Sequence, residues 1–218
     1  MNRKISVDLQ ARTIKEINEI PNHIEEDINQ IREWLAEEQH RKVQFDDDQI
    51  LGFLRGCQYS LQKTKEKIDF YFTARSFAPK FFQIRDPFAP EIQKIINAGI
   101  YLPLPKPDDK YGSRIIFSNS CHTDPDTMPY INLVTVFMMI LDIIVKEDDD
   151  ATINGITFWA NGTNCSPKYV FQITPTLLKK SLQCVEKAYP LRIKGIYVTN
   201  CPILFRNSDQ FNKIIYEK

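Results

Sequence analysis

"FQITPTLLKKSLQCVEKAYPLRIKGIYVTNCPILF", residues 171–205, reads as one helix feeding one strand. Thr174 is placed to cap the helix, and Pro175 takes its first position, where a missing N–H costs nothing. Pro190 closes off the helix. Residues 193–199 are β-branched and aromatic, the composition of a pleated, half-buried surface. Ile196 and Val198 share one face. By the strand period of two, Arg192 and Lys194 share a face as well. Two cations at the mouth of a strand that looks buried need a reason.

The same unit recurs upstream. "SRIIFSNS" (113–120) is a short strand, "DPDTMPYINLVTVFMMILDIIVKE" (124–147) a long helix with Pro129 near its first turn, and "ITFWA" (156–160) a second strand. "YLPLPKPDDKYG" (101–112), "DDDATING" (148–155) and "NGTNCSPKY" (161–169) read as loops. Strand, helix, strand, helix, strand is the pattern of a mostly parallel sheet. The N-terminal part is different. Residues 1–22 carry Leu9, Ile14, Ile17 and Ile20 as a weak amphipathic helix. Ile24, Ile28, Ile31, Trp34 and Leu35 then fall at helical spacing. Asp46 with Gln49 forms a capping box ahead of Ile50, Leu51, Phe53 and Leu54, and that helix ends near Gly56. Ser60 caps a further helix through Leu61, Thr64, Ile68, Tyr71 and Phe72 to about Phe77. The expected architecture is a helical module over 1–95, then an α/β domain over 96–218 with a mostly parallel sheet flanked by helices.

Composition narrows the function. Lys+Arg and Asp+Glu both number 28 in 218 residues, which argues against a broad basic surface for nucleic acid. The five cysteines (57, 121, 165, 184, 201) include no CxxC, so neither a disulfide framework nor a structural zinc site is expected. The N-terminus lacks a signal-peptide core, and the longest apolar run (132–145) contains Asp142 and is too short to span a bilayer. A reduced, cytoplasmic setting follows, with peripheral membrane association open. No glycine-rich phosphate loop, GxSxG or HExxH occurs. Cys121, His122 and Asp124 resemble a relay on paper, but neighbouring strand residues point opposite ways. His23 and His40 read as solvated. The acidic runs at 46–48 and 148–150 read as solvated charge rather than metal ligands. No catalytic residue, metal or cofactor emerges, and an enzyme is not expected. The long helix is apolar nearly all round, as befits a helix buried on several sides or lining an apolar cavity.

The segment 171–205 closely resembles the corresponding part of the α-tocopherol transfer proteins and, more widely, the CRAL-TRIO family of lipid-transfer proteins. The shared features are F-Q-I-T-P, a Lys-Lys helix, Tyr-Pro, a basic-apolar-basic triplet, Gly, a strand and Asn-x-Pro. "DDDQILGFLRGCQYSLQKTKEKI" (46–68) resembles the family's helical module, and "DKYGSRIIFSNS" and the "ING" before a strand match in order. The resemblance implies one hydrophobic small molecule held between sheet and helices, carried between membranes without covalent chemistry. It implies a pocket at Val134, Phe137, Leu141, Ile156, Phe158, Ser181, Cys184, Val185 and Ile196, and a phosphoinositide-binding cleft at Arg55, Arg192 and Lys194. Val134, Phe137 and Leu141 fall at i, i+3 and i+7, one helical face. Two departures stand out. "WANGTN" (159–164) lacks the acidic residue usual after the second strand, so the ligand cannot be copied from a relative. The sequence also ends at "NSDQFNKIIYEK", about where the family's gate helix starts, which implies an incomplete C-terminal part. The alternative reading is an adaptor module or truncated isoform with a degenerate pocket and no transfer activity.

Overall fold

The computed structural model describes residues 5–37, 45–105, 112–119 and 123–200. Four helices make up the N-terminal region: α1 (Val7–Ile17), α2 (Ile24–Glu37), α3 (Asp47–Gly56) and α4 (Leu61–Phe77). Asp46 and Gln49 form the capping box on α3, and the Ser60 hydroxyl accepts from Lys63 N at α4. Then follow α5 (Pro90–Asn97), β1 (Tyr101–Pro103), β2 (Arg114–Asn119), α6 (Tyr130–Glu147), α7 (Asp149–Asn154), β3 (Ile156–Asn161), α8 (Tyr169–Gln172), α9 (Pro175–Ala188) and β4 (Ile193–Thr199). Residues 95 and 96 both lie within α5.

The sheet has the order β1-β2-β3-β4; β2, β3 and β4 run parallel and β1 antiparallel. Successive right-handed crossovers in one direction put α6 and α9 on the same face. Ile116, Phe158 and Ile196 stand in register on that inner face, whereas Phe117, Trp159 and Tyr197 form the matching row on the outer face.

Three sequence expectations need correction. The proline-rich stretch after Tyr101 begins with β1, because its backbone can pair with β2 even where proline removes a donor at the edge. "DDDATING" is a helix: Asp148 caps it by accepting from Ala151 N, and Gly155 leaves it at φ +89°, a region that disfavours any other residue. The regular period of two that put Arg192 and Lys194 on one face is interrupted. Ile156 pairs with Ile193 but Thr157 with Gly195, so Lys194 is an extra residue bulged out of β4.

Helix α6 explains its own apolarity. Val134, Met138, Leu141, Ile144 and Val145 belong to the main core with the N-terminal helices, β3 and α9. Leu133 and Val136 face a second cluster with Ile92, Ile95, Ile100 and Tyr169. The N-terminal helices are pressed closely onto this layer. A Cβ at Gly52 would lie 2.3 Å from the Val145 carbonyl oxygen, and one at Gly56 would lie 1.6 Å from that of Pro190. The Lys67 ammonium ties α4 to the end of α9, donating to the carbonyls of Glu186 (2.6 Å) and Tyr189 (3.1 Å).

Candidate functional site

The residues expected to line a pocket come together in one layer between the sheet and helices α6 and α9. Val134, Leu141, Ile156 and Cys184 are buried in the main core, with Phe137, Phe158 and Val185 packed against it. Phe137 and Phe158 meet at 5.2 Å between ring centroids, and Phe137 also meets Tyr101 at 5.2 Å. Ile196 is half-buried beside Phe158 on the same face. Ser181 adds a polar point. Its hydroxyl donates to the Leu178 carbonyl at 2.8 Å, so the Tyr130 hydroxyl, 3.1 Å away, donates to Ser181 Oγ. Burial pushes the Tyr130 phenol up, so it stays protonated and remains a donor. Burial likewise pushes the Cys184 thiol up to about 11, with Lys180 pulling the other way. Tyr101 and Tyr130 were not foreseen. Tyr130 stands four residues before Val134, on the same helical face as Phe137 and Leu141, so its spacing could have signalled it, whereas only the fold carries Tyr101 to this layer.

The cations are arranged less simply. Arg55, near the end of α3, is buried, not solvated. Its Nε donates to Glu19 at 2.8 Å and its Nη1 to Asp149 at 2.8 Å. Glu19 itself is 2% exposed and also accepts from the Tyr59 hydroxyl (2.7 Å) and the Thr13 hydroxyl (3.0 Å). A buried guanidinium requires such partners, because an unpaired one would be costly. Glu19 follows the left-handed Asn18 that ends α1, and no motif in the sequence signals it. Arg192 approaches from the other side. It donates through Nη2 to the Ile153 carbonyl of α7, while its buried Nε has no partner among the described residues. Burial lowers the Arg192 guanidinium below its ordinary range, which Glu16 partly offsets. Lys194 is exposed on its bulge and lies across Gly155, where a Cβ would meet its chain at 3.2 Å. Arg55 and Arg192 therefore both hold α7, and Lys194 stands in solvent beside them.

The departure at "WANGTN" also has a structure. Asn161 Oδ1 accepts from Thr163 N (3.2 Å), the Thr163 hydroxyl (2.8 Å) and Asn200 Nδ2 (3.1 Å). An amide oxygen thus does the accepting at the end of β3. Asp124 turns onto its own loop, accepting from Asp126 N at 3.2 Å. Cys121, His122, His40 and residues 201–218 lie outside the described residues.

The CRAL/TRIO domain model matches residues 97–209, just over half of the chain, and a Pinta-like UBA domain model matches residues 20–92. The chain belongs to the CRAL/TRIO family. Clavesin-1 of Xenopus laevis is 24% identical over 188 residues, covering 86% of this chain and 56% of its own length. The alpha-tocopherol transfer protein-like protein of Mus musculus is 22% identical over 203 residues, covering 93% and 58%. The chain thus spans somewhat over half the length of these CRAL/TRIO relatives. The crystal structure of Sfh5 overlays with a TM-score of 0.47 at 14% identity, covering 99% of this chain and 79% of that one, a likeness too low to carry weight. CRAL/TRIO proteins bind and transfer lipophilic molecules rather than transforming them. No helix among the described residues is long and apolar enough to cross a membrane.

Proposed function

We propose that this CRAL/TRIO chain binds one lipophilic small molecule between its sheet and helices α6 and α9, and meets phosphoinositide-bearing membranes through Arg192 and Lys194. The observation that carries the reading is the inner layer itself. Phe137 and Phe158 fill its centre and the Tyr130–Ser181 pair supplies one hydroxyl-sized polar contact. Burying on the order of 400 Å² of apolar ligand there is worth roughly 10 kcal/mol gross before association costs, enough to retain a lipid without a bond. Val134, Leu141, Ile156, Cys184, Val185 and Ile196 form the remaining wall. For the headgroup, the half-buried guanidinium of Arg192, whose buried Nε has no partner among the described residues, and the solvent-borne ammonium of Lys194 are the cations offered. Arg55 stands behind them, already neutralised by Glu19 and Asp149. A phosphate rewards convergent charge-assisted donors, and arginine offers a planar fork.

Native mass spectrometry of the purified chain, with solvent extraction, tests the first half; a stoichiometric co-purified lipid is expected. Liposome flotation tests the second. Arg192→Ala with Lys194→Ala is expected to cut binding to phosphoinositide vesicles about tenfold while lipid loading is unchanged. Unchanged flotation would refute the headgroup role. The exposed outer row of the sheet, with Trp159 41% and Tyr197 51% accessible, favours a second reading as an adaptor without cargo. An empty, monodisperse protein in the spectrometer would select it.

A further inference from the structure

The headgroup site proposed at Arg192 and Lys194 is closed on one side. Lys194 stands in solvent, but Arg192 is half-buried, and its Nε is shut off from water with no partner among the described residues. A buried guanidinium N–H left unpaired is costly, so an acceptor brought to it is rewarded. Arg192 Nη2 donates to the Ile153 carbonyl in the last turn of α7.

Helix α1 meets the same turn. Arg12 Nη1 donates to Asn154 Oδ1 at 2.8 Å, so Arg12 and Arg192 converge on neighbouring residues of α7. Glu16, one helical turn after Arg12, lies 3.5 Å from its Nη2, and its charge also acts on Arg192. The Glu16 side chain is 41% exposed, so a phosphate approaching Arg192 meets a negative charge already in place. Of the parts that form this corner, α1 is the one able to yield. Arg55 holds α7 through Asp149, and Arg114 holds it through Asp148. Of the eleven residues of α1 only Thr13 and Ile17 are buried, while Val7 and Ile14 are 82% and 52% exposed. The helix also precedes residue 20, where the match to the two family models begins.

We infer that α1 is an autoinhibitory strap across the headgroup site. In the closed form Arg12 pins the strap to the end of α7, and Glu16 stands where headgroup phosphate would approach Arg192. A phosphoinositide headgroup carries more negative charge than one carboxylate. It displaces Glu16, lifts α1 from α7, and gives Arg192 Nε an acceptor. This inference rests on the headgroup reading of Arg192 and Lys194. Apparent affinity then scales with the fraction of chains whose strap is open.

The test is flotation of the full chain with phosphatidylcholine vesicles, with and without a phosphatidylinositol bisphosphate. Arg12→Ala removes a cation, so plain attraction to an anionic surface would weaken. Loss of the pin is instead expected to tighten binding to the phosphoinositide vesicles about fivefold, with unchanged circular dichroism. Glu16→Gln, which keeps the size of the side chain, is expected to tighten it about threefold. In hydrogen exchange, the amides of residues 13–17 of the unaltered chain are expected to exchange faster once those vesicles are bound. If the unaltered chain floats and neither variant floats more readily, the strap is refuted and the headgroup reading stands. A gain that persists when Arg192→Ala and Lys194→Ala are added would mean that α1 itself binds the membrane, which also refutes the strap. If the unaltered chain and both variants all fail to float, the headgroup reading fails and the strap falls with it.

Discussion

Glu19 is the residue on which the N-terminal packing turns. Its carboxylate holds the Arg55 guanidinium, the Tyr59 hydroxyl and the Thr13 hydroxyl at once, with almost no water. Removing one member of such a buried set leaves the others unpaired, which costs far more than the set contributes over an apolar equivalent. Glu19→Ala is expected to lower stability by about 3 kcal/mol in urea unfolding, since Asp149 can still hold Arg55 on one side. A loss too small to measure would show that Arg55 is not confined as described. Cys184 offers a second test. Its thiol ionises near 11 rather than 9.0, so the folded chain keeps it protonated where the unfolded chain does not. Folded-state stability from this group is full below pH 9 and is lost as pH rises toward 11. At pH 8.5 the native thiol is therefore expected to resist iodoacetamide and to react only at the rate of unfolding. Prompt alkylation in the native state would contradict its burial. Neither effect was readable beforehand: Glu19 sits in an unmarked turn, and Cys184 came only from family likeness.

At the scale of elements, the helix caps were legible and the sheet details were not. Asp46 with Gln49, Ser60, and Thr174 with Pro175 mark helix starts by local chemistry, and each cap forms. The bulge at Lys194 depends on how β4 meets β3 and left no local trace. The same holds for β1, whose three residues become a strand only because β2 lies alongside. Gly56 marked only a helix end in the sequence and Gly52 was given no role, yet their absent side chains let α3 settle against α6 and the Pro190 turn. Gly56→Ala is expected to cost about 3 kcal/mol or more, because backbone carbonyl, not a flexible side chain, fills the space its Cβ would need. A lower urea midpoint at unchanged slope would confirm the clash; an unaltered midpoint would rule it out.

For the whole molecule, we propose that the helical region and the α/β region fold as one unit, although the sequence divides them near residue 95. One core runs from Ile24 through Leu54 and Leu141 to Leu191 and shares its side chains between both. The chain has two tryptophans, Trp34 in α2 and Trp159 in β3. Trp34→Phe and Trp159→Phe variants, each followed by its remaining tryptophan, are expected to give coincident urea transitions. Separated midpoints would show two independently stable parts. The sequence by itself determined α1–α4, α6 and α9, the caps of α3, α4 and α9, the alternation of strand and helix behind a mostly parallel sheet, and the family, because those follow from local periodicity, capping chemistry and ordered motifs. Tertiary structure alone decided that Arg55 turns inward to Glu19, that Lys194 bulges into solvent, and that Arg12 of α1 and Arg192 meet at the end of α7. These depend on which surfaces distant segments bring together, and a side chain's neighbours across space leave no period in its own stretch of chain.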